Sequence, residues 1–178
     1  ALALEPELHL TRALLARAYM LAGKWDMADG VLEGALLAGG PILPATARKC
    51  LWTRDVERAR RLRDEPAMQS EAAWSMQRVL VDFIVDGVSP FGRSPSPRTM
   101  TPRFQAFLRQ IEAECAAFAH DRGRALAAME GAVALGAIDV AWADHCPLFE
   151  PLRGDPRFAA ASDAMAARAD QVVAAYLA

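Results

Sequence analysis

The side chains best suited to acid–base, nucleophilic or metal chemistry are three histidines and three cysteines, and their spacing decides what chemistry is open. Asp144-His145-Cys146 is the one tight group. Adjacent side chains diverge from one another, and neither HExxH nor paired CxxC spacing accompanies the group, so it reads as a turn rather than a zinc site or a Cys–His nucleophile. His120-Asp121 has the form of a polar pair that caps helices at a turn, and His9 reads as a surface residue. Cys50, Cys115 and Cys146 are odd in number and unclustered, which favours reduced thiols over a disulfide framework. No GxGxxG, Walker, GxSxG or paired-acid motif occurs. The expectation is a chain without enzyme activity, catalytic residues, cofactor or metal.

Charge offers a second kind of chemistry. Between Arg48 and Arg63 seven basic residues stand against Asp55 and Glu57. On one continuous helix over 45–64, Arg54, Arg58 and Arg61 recur at i, i+4 and i+7 and share a face able to meet phosphates or an acidic segment. Asp55, Glu57 and Glu65 balance that face, Trp52 is its only aromatic, and the whole chain has a formal net charge of -2, so nucleic acid is not an expected partner. Ser89-Pro90, Ser94-Pro95, Ser96-Pro97 and Thr101-Pro102 fall in a Pro/Ser-rich stretch over 88–102. They read as turn chemistry; phosphorylation beside Arg93 or Arg98 is the regulatory alternative.

The elements that position these residues are helical. The chain has 178 residues, 53% hydrophobic and 24% charged, enough for a sizeable core, and it is rich in the helix formers Ala, Leu, Arg and Glu. Its longest apolar run, around 79–85, is interrupted by Asp82, so no membrane contact is expected. The alanine- and arginine-rich usage points to a GC-rich bacterial genome. The opening at Ala1, without a signal-peptide pattern, points to a cytoplasmic piece of a longer protein.

A repeat organises the chain. From 9 to 42, Leu15, Ala16, Ala18, Tyr19, Gly23, Trp25, Asp26, Ala28, Leu32 and Ala35 keep a 34-residue pattern of small and large positions, and Ala1–Pro6 reads as the end of a preceding copy. This pattern resembles the tetratricopeptide repeat family, in which small residues let two antiparallel helices approach. A more degenerate copy spans 106–139, with Ala125, Met129 and Ala132 in its second helix and Phe107, Ile111, Cys115 and Phe118 striping its first. Between them, 43–87 reads as a divergent pair: one helix over 45–64 and a second over 67–86, the latter striped by Ala72, Met76, Val79 and Phe83. In the last section, 140–178, a Cys146–Phe158 segment leads into a helix capped by Asp155 and Pro156, with Phe158, Ala161, Met165, Val172 and Tyr176 on one side. This end is similar to the C-terminal arrays of bacterial serine/threonine kinases, adenylate cyclases and transcriptional activators.

The resemblance implies an all-α, single-domain solenoid of helical hairpins, a right-handed superhelix closed by a capping helix. It implies a protein–protein scaffold of a signalling or regulatory protein, or alternatively a ligand-sensing domain that controls an attached kinase, cyclase or DNA-binding domain. Carried onto this chain, the family's concave-face positions are Leu10, Ala13, Arg17 and Met20 in the first copy and Phe107, Gln110, Glu114 and Ala117 in the second. The family's carboxylate clamp is not reproduced, because Ala13 and Arg17 occupy its first-helix sites. The expected ligand is a protein or peptide segment with apolar anchors steered by Arg17. The edge carrying Leu2, Leu4 and Leu8 is expected to seek an upstream helix or a second subunit.

Overall fold

The computed structural model describes residues 9–37, 44–69, 76–88 and 100–177. Among these residues every regular element is a helix. The repeat ending at Ala1–Pro6 with its leucine edge, and the Ser-Pro pairs over 89–97, lie outside the described residues. The chain divides into two compact units, with the boundary at Pro90 and Phe91.

In the first unit, α1 (His9–Leu21) and α2 (Trp25–Leu37) form a hairpin, followed by α3 (Pro44–Thr53), α4 (Val56–Asp64), the short α5 (Pro66–Gln69) and α6 (Met76–Asp86). Helix α3 packs against α1, α4 and α6. That enclosure buries Ala45, Thr46, Ala47, Arg48, Lys49, Cys50, Leu51 and Trp52 in sequence. A helix surrounded by neighbours has no solvent face, so even its basic residues need local partners. The guanidinium of Arg48 lies 5.2 Å from the centre of the Trp52 ring, a cation–π contact.

In the second unit, α7 (Pro102–Phe118) and α8 (Arg122–Ala134) form a hairpin, followed by α9 (Val140–His145), a 3-10 segment (Pro147–Leu152) and α10 (Pro156–Leu177). The Thr101 hydroxyl caps α7, accepting from the Phe104 N–H at 3.3 Å, with Pro102 opening the helix. The core is aromatic. Trp142 and Phe149 meet edge to face at 4.9 Å, and Phe149 meets Phe158 at 5.9 Å. Phe158, Ala161 and Met165 of α10 are buried as predicted. Val172 and Tyr176, expected on the same buried side, are instead 51% and 89% exposed. Helix α10 packs on α8 and α9, and its later turns run past the core they cover.

The helix expected over 45–64 is two helices. It breaks at Arg54, which adopts a left-handed backbone with φ 56°. The Arg54 N–H donates to the Leu51 carbonyl at 3.3 Å and the Asp55 N–H to the Cys50 carbonyl at 3.0 Å, while the Asp55 carboxylate caps α4 by accepting from the Arg58 N–H at 2.8 Å. The same pair of bonds, from the left-handed residue and its successor, ends α1 at Gly23 (φ 69°), α7 at His120 (φ 60°) and α8 at Gly136 (φ 92°). These are Schellman closures, which glycine makes without steric cost. Around the turns at Gly23, Arg54 and His120, the residue seven places before and the residue five places after are alanines: Ala16 and Ala28, Ala47 and Ala59, Ala113 and Ala125. All six are at most 1% exposed. The first unit thus holds two helix pairs joined by one kind of turn and the second unit a third, although α3 and α4 pack more on α6 than on each other. Ala18, assigned by the repeat pattern to a small position, is exposed and takes no part in this arrangement.

A non-glycine residue in the left-handed region costs about 1–2 kcal/mol, partly offset by the greater freedom of glycine in the unfolded chain. His120→Gly is therefore expected to stabilise the protein by about 0.5–1 kcal/mol in urea melts, whereas Gly23→Val destabilises it by at least as much. A loss of stability in His120→Gly would contradict the turn geometry.

Candidate interaction surfaces

The residues expected to line a common groove have divergent fates. Leu10 is 74% exposed, and Leu14, one turn on, is 58% exposed, so α1 presents an apolar strip to solvent. Ala13 and Arg17 are half-buried. Met20 is a correction: at 1% exposure it belongs to the core. It stands immediately before the turn that closes α1, where the Gly23 N–H bonds its carbonyl.

In the second unit Phe107 is half-buried and lies 6.1 Å from Phe104, ring centre to ring centre. Gln110 and Glu114 are corrections of the same kind, at 7% and 0% exposure. Gln110 donates to the Asp139 carboxylate at 3.3 Å, and Glu114 accepts from the Trp142 indole N–H at 2.6 Å. Ala117 is buried as well. A polar residue one turn from another on α7 is compatible with a solvent groove on sequence grounds; here Asp139, the N-cap of α9, and Trp142 within α9 supply their partners. Glu114 is therefore a structural acid that orients the central tryptophan, and no ligand reaches it from solvent.

The basic stretch is mostly consumed internally. Because Arg54 sits in the turn between α3 and α4, it does not share the helix face of Arg58 and Arg61 that a continuous helix would create. Asp29 of α2 accepts from Lys49 of α3 and, at 3.0 Å, from Arg58 of α4. Arg60 pairs with Glu57, and Arg63 with Asp86 at 2.9 Å. Burial alone would raise the Asp29 carboxyl pKa, but the hydrogen bonds and charges of Lys49 and Arg58 outweigh it and hold the carboxyl below its ordinary 3.8. The acid that matters most here is Asp29, twenty residues before Lys49, and no local charge pattern reveals it.

The cysteines are all buried. Desolvation lifts the Cys50 thiol to about 11, which keeps it protonated and poorly nucleophilic. His145 ends α9 on the surface while Cys146 next to it is enclosed, so the pair diverges as expected. Among the described residues no cluster of His, Cys, Asp or Glu is able to hold a metal ion, and no helix is long and apolar enough to cross a membrane.

One concavity stands out in the second unit, a shallow channel of about 420 Å³ between α8 and the first turns of α10. Glu130 and Val133 form one wall, and Pro156, Arg157, Ala160, Ala161 and Ala164 form the other wall and floor. Glu130 and Arg157 are joined by two hydrogen bonds at 2.7 and 2.8 Å, and that contact holds the Glu130 carboxyl below its usual range. The sequence hides this channel because alanines on α10 carry no motif; the adjoining turn, where Arg122 pairs with Asp155 at 2.7 Å, is equally silent.

Compared with known proteins, the chain matches no protein-family model, no curated protein and no solved structure.

The lowered Asp29 pKa has a defined sign. The unfolded chain takes up this proton near 3.8 and the folded chain only at lower pH, so the cluster's contribution is present above 3.8 and lost as pH falls through the folded value. Asp29→Asn is expected to cost on the order of 1–3 kcal/mol at pH 6 and to flatten the acid limb of the stability profile. Melts of both proteins between pH 6 and pH 3 check this. Parallel profiles would show that Asp29 carries no such linkage.

Proposed function

We propose that this chain is a protein-interaction module built of tetratricopeptide-like helical hairpins, working within a larger bacterial signalling or regulatory protein. The observation that carries this reading is the turn shared by three hairpins, with fully buried alanines seven residues before and five after a left-handed residue. In a tetratricopeptide array such close helix pairs stack as repeats, and the surface they leave takes up peptide segments. The solvent-facing Leu10 and Leu14 on α1 and the open alanine-floored channel on α8 and α10 support the same reading, since apolar surface presented in strips suits a macromolecular partner better than a small enclosed ligand.

Panning a phage-displayed peptide library against the whole chain tests this function. The expected result is a peptide family with shared apolar anchors, whose binding falls at least tenfold when either the α1 strip is charged by Leu10→Glu with Leu14→Glu or the α8–α10 channel is blocked. Enrichment no greater than on an unrelated helical protein would contradict the reading.

A further inference from the structure

We propose that the exposed row Leu10, Leu14 and Ala18 on α1, with Met27 on α2, docks an apolar-faced helix of a partner protein, one that carries no charge where it meets Ala18 and Met27. This proposal rests on the interaction reading above and adds to it the occupant of the α1 strip. Leu10 is 74%, Leu14 58% and Met27 48% exposed, and Ala18 is exposed as well. Residues four apart stack along one side of a helix, so the three α1 residues form one ridge. The end face of a stack of helix pairs is ordinarily polar, which keeps it in water. This one has no polar side chain at any of its four positions.

The other two helix pairs show what such a row meets. Leu14 and Ala18 stand nine and five places before the left-handed Gly23; their counterparts are Ala45 and Lys49 before Arg54, and Ile111 and Cys115 before His120. All four counterparts are buried. In the second pair the preceding hairpin reaches this row: α3 packs against α1, and Lys49, together with Arg58 four places after the turn, donates to Asp29 on α2. Met27, four places after Gly23, is the counterpart of Arg58. The face by which the second pair meets α2 is thus repeated on the first hairpin, and among the described residues no helix covers it there. Its chemistry differs in one respect. Lys49 and Arg58 balance the Asp29 carboxylate, whereas Ala18 and Met27 offer no cation, so a carboxylate set against them would lose its water without compensation. The helix that fits continues the same stacking with an apolar side chain at the place of Asp29 and places further apolar residues along the ridge. A second α1 is a poorer match: α1 carries Arg12 and Arg17 and no acid, so two copies face to face set like charges side by side.

The test uses the full chain and two fluorescein-labelled peptides with the sequence of α2, lengthened by an alanine-rich turn at each end and carrying Gly30→Ala and Gly34→Ala to hold the helix. One keeps Asp29; the other carries Asp29→Leu. Fluorescence anisotropy is expected to show the leucine peptide binding at least tenfold more tightly than the aspartate peptide. Leu10→Glu with Leu14→Glu should weaken the leucine peptide at least tenfold, whereas Ala127→Glu, at an exposed position on α8, should not. Ala18→Lys with Met27→Arg copies the cations of the second pair onto this face and should reverse the order of the two peptides, which mere stickiness of an apolar strip would not do. Thermal melts confirm that each variant folds; if Leu10→Glu with Leu14→Glu does not, Met27→Glu takes its place. No binding by either peptide, equal binding by the strip-charging variant and the unaltered chain, or an order unchanged in Ala18→Lys with Met27→Arg would overturn the proposal. So would sedimentation showing a dimer dispersed by Leu10→Glu with Leu14→Glu, which would make a second copy the occupant. If panned peptides bind and are lost only when the α8–α10 channel is blocked, while neither α2 peptide binds, this site falls and the interaction reading stands. If panning also yields nothing, both fall.

Discussion

Two antiparallel helices can lie close together only where neither presents bulk at the crossing, and the chain meets this requirement with an alanine on each side of a left-handed turn. Ala16 with Ala28, Ala47 with Ala59, and Ala113 with Ala125 are all removed from solvent. Larger residues of the same helices are buried as well: Met20 and Leu32 in the first pair, Leu51 and Leu62 in the second, Ile111 and Met129 in the third. Turn and seam depend on each other. The left-handed residue reverses the chain in minimal length, and the alanines let the second helix return along the first.

Polar side chains then tie each hairpin to neighbouring helices of its own unit. In the first, Asp29 on α2 reaches both Lys49 and Arg58, so one acid couples three helices. Lys49 is nearly enclosed, and an ammonium so placed is costly unless paired. In the second, Glu114 on α7 holds the Trp142 indole of α9, and Trp142 in turn packs edge to face on Phe149. Residues at positions that sequence logic assigns to a ligand groove are thereby spent on internal cohesion. The apolar surface left exposed lies elsewhere: Leu10 and Leu14 on α1 and the alanine-floored channel between α8 and α10.

The first hairpin is legible from Gly23, and the third from His120-Asp121 read as a capping turn. The second is not, because Arg54 occupies the left-handed site where glycine is the usual signal and the flanking residues are good helix formers. Asp55, one residue after Arg54 as Asp121 is after His120, is the mark that distinguishes it. The caps at Thr101 and at Asp155, which accepts from the Arg157 N–H at 2.8 Å, follow from residue type alone. The burial of Met20, Gln110 and Glu114 depends on which element folds over them, and periodicity along a single helix carries no information about that cover. The later turns of α10 teach the same lesson in reverse: Val172 and Tyr176 continue an apolar stripe beyond the neighbours that bury its beginning.

The shared turn and alanine seam is tested most directly by enlarging the seam in each hairpin and comparing urea-melt stabilities. Ala28→Leu, Ala59→Leu and Ala125→Leu should each cost about 1–3 kcal/mol, as overpacking of a tight interface does. Ala18→Leu and Ala127→Leu, at exposed positions on the same kinds of helix, should stay within about 0.5 kcal/mol of the unaltered chain. If leucine at 28, 59 and 125 is tolerated as well as at 18 and 127, the three hairpins are not built on close helix approach and the account fails.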